Sequence, residues 1–306
     1  MISAGSTTHA SSRTTRTRAA DRVEPIGLLA GSGRFPILFA EAAQRLGLPV
    51  ACVGLRYEAP EILGSLCESF EVVSVSRLGG MIRSFKRRGV RRVVMAGKVS
   101  KAVMYTPGRI LQLWPDLRMI RFWHGRLKAD KRDDSILLGV IAEFERDGIT
   151  FVSALDFCPE LLVNAGILTR RKPSAAEWKD IAFGWKLAKE MGRLDIGQSV
   201  AVKEQATIAV EAIEGTDLCI ERAGLLCRAG GWTLVKVAKP RQDMRFDVPT
   251  IGTATIDNLS KAGAKVLAIE AGKTIVVDQP EVVALADRHG LVIVAVEADQ
   301  VATWQA

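Results

Sequence analysis

Long apolar runs are missing from this 306-residue chain. Nowhere do about 18 apolar residues follow one another, so no segment reads as a membrane-spanning helix. Aromatic residues make up only 6% of the chain, which argues against a general stacking surface for single-stranded nucleic acid. Three histidines, at positions 9, 124 and 289, are too few and too scattered for a zinc site. Five cysteines form no CxxC pair and are odd in number, which fits a reducing compartment with the thiols as small, mostly buried apolar groups. Residues 1–24 are rich in Ser, Thr and Arg and lack the hydrophobic stretch of a secretory signal, so they read as a disordered tail.

What is present is a basic, apolar-rich chain long enough for two domains. Lys and Arg number 42 against 34 Asp and Glu, a formal charge of +8, which favours an anionic partner such as a nucleotide, a phosphosugar or a membrane surface. Short apolar runs alternate with helical patterns through the first half. "IGLLA" (26–30), 48–55, 70–75, 90–97 and 149–155 read as strands. Helices are expected at 36–46, at 79–89 with Met81, Ile82 and Phe85 on one side, and from Asp133, where Asp133 or Asp134 is placed to cap. Strands and helices at this spacing predict a mostly parallel sheet covered on both faces.

Residues 168–175 read as a linker. Ser174 and Glu177 then form a capping box ahead of a helix carrying Trp178, Ile181 and Trp185. The second half is α/β with different spacing. "SVAVKE" and "TIAVEA" suggest a hairpin, and "GTDLCIERAG" a helix with Thr216 or Asp217 as cap. Strands at "WTLVKVAK", "AKVLAIE", "KTIVVD" and "LVIVAVE" alternate with helices at 255–263 and 280–289.

Two stretches carry chemistry. Gly31-Ser32-Gly33 joins a strand to a helix, where backbone N–H groups could meet a phosphate. The third glycine of the dinucleotide fingerprint is absent, no Lys-Ser or Lys-Thr follows, and no acid after the second strand is placed for a ribose. A plain tight turn is therefore the alternative, and a nicotinamide-dependent oxidoreductase is a weak one. In the second half, polar residues crowd into about fifty positions, among them Asp195, Lys203, Glu204, Glu211, Lys236 and Asp247. Solvated loops and caps account for such residues in most proteins. Carboxylates beside bases also suit a hard cation and a diphosphate, so phosphoanhydride hydrolysis is the enzyme reading most consistent with them. A non-catalytic nucleotide-sugar-binding protein stands beside it.

The blocks "GLLAGSGRFP", "MAGKVS", "KRDDSILLGVIAEFERDG", "GRLDIGQSVAVKE", "AVEAIEGTD", "VKVAKPRQDMRFDVPTIG" and "EAGKTIVVD", in this order from about residue 25 to 300, resemble the LpxI family. That resemblance implies an N-terminal Rossmann-like domain (25–160) joined to a distinct C-terminal α/β catalytic domain (161–306), assembled as a homodimer. It implies Mg²⁺-dependent hydrolysis of UDP-2,3-diacylglucosamine to UMP and 2,3-diacylglucosamine 1-phosphate (lipid X). The work would be done at the cytoplasmic face of the bacterial inner membrane by a peripheral protein with no nucleic-acid partner.

The family's essential aspartate maps to Asp247 in Arg245-Phe-Asp247-Val-Pro-Thr-Ile-Gly252, with Asp217 of "EGTD" as the second carboxylate, both as metal ligands. Lys239, Arg241 and Arg245 become candidates for diphosphate contact. Gly31, Ser32, Gly33, Lys131, Asp133, Asp134 and Thr216 complete the substrate-binding set. Arg132 stands where many relatives have glycine, which questions phosphate contact at that turn. Residues 110–127 interleave Leu, Ile, Trp and Phe with Arg; they suit acyl chains or a membrane interface, and equally core or dimer packing.

Overall fold

The computed structural model describes residues 23–99, 114–124, 133–240, 242–245 and 248–303, with the side chains of 133–135 and 302–303 outside that description. The first sheet orders its strands β3-β2-β1-β4-β5, all parallel. These are β1 (Ile26–Ala30), β2 (Val50–Leu55), β3 (Ser69–Val73), β4 (Arg92–Ala96) and β5 (Thr150–Val152). Helices α1 (Phe35–Arg45), α2 (Leu63–Leu66), α3 (Leu78–Arg87), α4 (Leu117–Phe122) and α5 (Asp133–Glu145) belong to this half. Alternate strand residues face opposite layers. Leu28, Cys52 and Val94 pack under Phe39 and Ala43 of α1. Leu29, Val53 and Val93 meet Phe85 of α3, Phe122 of α4 and Phe144 of α5 on the other face. This is the Rossmann-like half. Asp133 and Asp134 lie inside α5 and not before it, because the helical backbone begins at Asp133.

The second half has a six-stranded mixed sheet, ordered β6-β13-β11-β9-β7-β8. In chain order its elements are β6 (Gly166–Ile167), α6 (Ala175–Arg193), β7 (Ser199–Lys203), β8 (Ala206–Val210), α7 (Thr216–Leu226) and β9 (Trp232–Lys236). Then follow β10 (Thr250–Ile251), α8 (Thr253–Lys261), β11 (Ala264–Glu270), β12 (Ile275–Val276), α9 (Gln279–Arg288), β13 (Val292–Val296) and α10 (Ala298–Thr303). Strands β9, β11 and β13 run parallel, while β7 and β8 form the expected hairpin. On one face α6 sets Ile181, Trp185 and Ala188 against Val200, Val235 and Val294. On the other, Ile220 of α7, Ile256 of α8 and Val282 of α9 cover Ala201, Leu234 and Ile293.

The capping box at Ser174 and Glu177 is formed, with both reciprocal bonds made. Neither Thr216 nor Asp217 caps α7. Gly215, with φ +82°, is the N-cap, and both residues fall in the first turn. The long strand expected at "KTIVVD" is two residues that pair with Thr250–Ile251 in a separate small sheet.

A candidate site at the carboxyl ends of the strands

In parallel sheets, ligands bind beyond the carboxyl ends of the strands, and both halves carry their polar residues there. At the end of β1, the Gly31 N–H donates to the Ala96 carbonyl (2.8 Å) and the Ser32 N–H to the Lys98 carbonyl (2.7 Å). Ser32 Oγ also donates to the Lys98 carbonyl (2.9 Å). A Cβ on Gly31 would sit 2.4 Å from that carbonyl oxygen, which explains the glycine; Gly97 opposite has φ +94°. Two amides that a pyrophosphate would need are thus already engaged, and the turn keeps Gly33 at its apex. Nothing in this turn favours a nicotinamide cofactor.

In the second half the sheet brings four side chains together. Register pairs Ser199 with Lys236, and Glu211 follows directly on β8. Thr216, opening α7, donates its hydroxyl to Glu211 Oε1 (2.9 Å) and accepts from Lys236 Nζ (3.1 Å), with Ser199 Oγ at 3.5 Å. Glu211 and Lys236 are only 7% and 6% exposed, so a carboxylate and an ammonium are held inside through one shared hydroxyl. Glu211 Oε2 is buried without a hydrogen-bond partner among the described residues, an arrangement that costs free energy unless something else meets it. Gly197 is pressed against the Glu211 carbonyl, where a Cβ would lie 2.1 Å away. Lys203 and Glu204, grouped with Lys236 by charge, lie at the other end of the sheet. Lys203 reaches the Gly230 carbonyl, and the Glu204 amide donates to Asp180.

The loop after β9 completes the site. Its start is clamped by Glu270, 3% exposed, which accepts from Lys189 Nζ (2.6 Å) and from the Ala238 N–H (2.8 Å). Lys189 also donates to the Ala238 carbonyl (3.0 Å). Lys239 pairs with Asp195 (2.7 Å) and Arg245 with Asp243 in a two-pronged contact (Nε–Oδ1 3.0 Å, Nη2–Oδ2 2.6 Å). That contact holds the Asp243 carboxyl below, and the Arg245 guanidinium above, their ordinary values. Asp217 accepts from Asn258 (3.1 Å). Glu214 accepts from the Ala212 N–H and from Arg222, which together with its own amide keep its carboxyl low.

The two halves touch along these same edges. Ser153, after β5, donates to the Met244 carbonyl (3.1 Å), and Arg34, after the glycine turn, pairs with Asp278 (3.3 Å). Asp247, Arg241 and Lys131 lie outside the described residues, as do the side chains of Asp133 and Asp134. Among described residues, no group of three or more His, Cys, Asp or Glu is placed to hold a metal ion. Glu211, Thr216 and Asp217 are oxygen donors, the kind a hard divalent cation takes, and Glu211 Oε2 is a buried carboxylate oxygen with capacity to spare. They fit such an ion in the chemistry of their donor atoms. Individually, Glu211 and Lys236 were visible as charges in a polar stretch. Their burial follows from strand pairing, which no local pattern encodes.

Fold and site together define a two-domain α/β protein whose buried and paired polar groups lie on the strand ends where its two halves touch. Comparison with known proteins gives the family. The LpxI N-terminal domain matches residues 25–161 and the LpxI C-terminal domain residues 164–294. The chain belongs to the LpxI family. It is similar to the UDP-2,3-diacylglucosamine pyrophosphatase LpxI of Caulobacter vibrioides, with 32% identity over 283 residues covering 90% of this chain and 98% of that protein.

Proposed function

We propose that this protein hydrolyses the diphosphate of UDP-2,3-diacylglucosamine to UMP and 2,3-diacylglucosamine 1-phosphate (lipid X). The observation that carries the reading is the extent of the relationship. It runs through both halves and over 98% of a relative named for this pyrophosphatase activity. The buried Glu211–Thr216–Lys236 cluster on the strand ends supports it.

In the reaction, a water oxygen bonds to the sugar-side phosphorus. The bond from that phosphorus to the bridging oxygen breaks, and the bridging oxygen departs with UMP. Asp247 orients the water and accepts its proton, and with Asp217 is the metal-holding carboxylate. A divalent cation, Mg²⁺ in this reading, supplies neutralisation of charge on the phosphoryl oxygens. Lys239, Arg241 and Arg245 hold the diphosphate, a role that requires Lys239 and Arg245 to exchange Asp195 and Asp243 for substrate oxygens. Thr216 meets a phosphate oxygen at the first turn of α7, a role that requires its hydroxyl proton to leave Glu211 for the substrate. Gly31, Ser32, Gly33, Lys131, Asp133 and Asp134 line the substrate from the first half.

We take the domains as 25–160 and 161–306, the working unit as a homodimer, and the setting as the cytoplasmic face of the bacterial inner membrane. No helix among the described residues is long and apolar enough to cross a membrane. The test is turnover in ¹⁸O-labelled water with Mg²⁺, read by mass spectrometry. Label in lipid X supports attack at the sugar-side phosphorus, label in UMP moves the attack to the other phosphorus, and no cleavage removes the reading.

A further inference from the structure

Away from this site, the first half carries arginines that pair with no acid among the described residues. Arg56 after β2, Arg77 at the start of α3 and Arg83 within it line one cavity of about 300 Å³. Their backbone amides are used within the fold, as at Arg56 and Arg77, but none of the three guanidinium groups makes a hydrogen bond or ion pair with a described residue. Their neighbours show that this is not for want of carboxylates nearby. Glu71 is committed to Ser84, Arg87 and Arg88, and Asp116 to the amides of Gly80 and Met119 (both 2.9 Å).

Arg77 and Arg83 also line an adjoining cavity of about 360 Å³, whose other walls are Trp114, Pro115, Leu117 and Ile120 with Asp116, the carboxylate already engaged by the two amides. Leu117 and Ile120 lie on α4, Trp114 precedes it and Trp123 follows its last residue, and all four face solvent: Trp114 and Leu117 are 72% and 74% exposed. The inner side of the same helix is spoken for, with Met119 and Phe122 in the core. Thus two exposed tryptophans and two exposed aliphatic side chains flank a pocket of uncompensated guanidinium groups.

We propose that this face, Trp114, Leu117, Ile120 and Trp123 with Arg77 and Arg83, docks on an anionic phospholipid bilayer. Tryptophan rings favour the level of lipid headgroups, aliphatic side chains reach the acyl boundary, and the arginines take headgroup phosphates. The charge argues against a second copy of the chain as occupant. A two-fold contact would press the same cationic patch against itself. The inference gives the membrane contact a location on the molecule, and it does not depend on the reaction assigned above, since binding is read without turnover.

The test is co-sedimentation of the full chain with vesicles of phosphatidylcholine alone or with about one part in four of phosphatidylglycerol. The native protein is retained on anionic vesicles and released by salt, with little retention on neutral ones. R77A/R83A weakens retention about twenty-five-fold, each surface arginine contributing about fivefold. W114A/L117A weakens it while leaving the melting temperature and the sedimentation of the free protein unchanged. Equal retention on both vesicle types, or unaltered retention of R77A/R83A, overturns the proposal. Loss of a dimer in W114A/L117A with vesicle binding intact assigns the face to a second copy and overturns it too. Release by millimolar inorganic phosphate as readily as by equimolar chloride-balanced salt leaves the bilayer assignment standing, whereas selective release by phosphate reassigns the pocket to a free anion.

Discussion

Removing the Glu270 carboxylate tests whether the loop after β9 is held as described. Glu270 is almost wholly buried, and its loss would strand both the Lys189 ammonium and the Ala238 N–H that it accepts from. Breaking a buried pair from one side costs about 3–5 kcal/mol. At about 2–4 °C per kcal/mol for a chain segment of this size, Glu270→Ala lowers the melting temperature by about 10 °C. Glu270→Gln retains an acceptor for Ala238 and loses only the charge, so it costs less.

The pH dependence of Glu270→Gln carries the sharper signature. Burial lowers the Lys189 pKa from its ordinary 10.5, and Glu270 pulls it partly back. Without Glu270 the folded-state value falls further. Between that value and 10.5 the unfolded chain then binds more protons than the folded one, so stability rises with pH in that window. The deficit of Glu270→Gln against native is therefore largest near neutrality and shrinks towards pH 10. Replacing both partners, as in Lys189→Met with Glu270→Leu, recovers the part of the loss due to the stranded ammonium, while the bond from the Ala238 N–H and the pairing with Lys273 stay lost. Urea unfolding at a series of pH values measures all of this. A Glu270→Ala loss below about 1 kcal/mol, or a deficit independent of pH, refutes the clamp.

Other consequences are as specific. Glu211→Ala removes the acceptor of the Thr216 hydroxyl and so loosens the side chain that Glu211 and Lys236 hold between them. Its turnover falls about a hundredfold while KM changes little, measured by steady-state kinetics on the substrate proposed above. Gly31→Ala drives a Cβ into the Lys98 carbonyl and lowers stability by about 1–3 kcal/mol in denaturant unfolding. Burial raises the Asp147 pKa, but hydrogen bonds from Arg118 and Lys86 outweigh it and hold the carboxyl below its ordinary 3.8. The stability this gives is present above 3.8 and lost as pH falls through the depressed value, so Asp147→Asn flattens that part of the acid-unfolding curve.

The elements were legible wherever one local rule decided them. Five apolar runs became the five strands of the first sheet, and the Ser174–Glu177 box did start its helix. The hairpin of β7 and β8 was legible from two strands three residues apart. Caps were less so. Thr216 reads as an N-cap by type, yet Gly215 takes the positive φ the entry to α7 needs and moves Thr216 one position in. That single step puts its hydroxyl between Glu211 and Lys236. The cluster itself was hidden because it depends on which strands lie side by side. Ser199 and Lys236 are 37 positions apart in sequence and opposite in register. Long-range pairing likewise brings Cys52 and Cys67 into one apolar cluster, although their spacing suggests no relation.

The most direct test of the account is incubation of the full chain with UDP-2,3-diacylglucosamine, with and without Mg²⁺, beside Asp247→Ala, with UMP and lipid X measured by mass spectrometry. The account predicts equal amounts of both products, dependent on the cation and lost in the variant. Substrate that binds but is never cleaved would contradict it, and cleavage undiminished in Asp247→Ala would move the centre of the chemistry elsewhere.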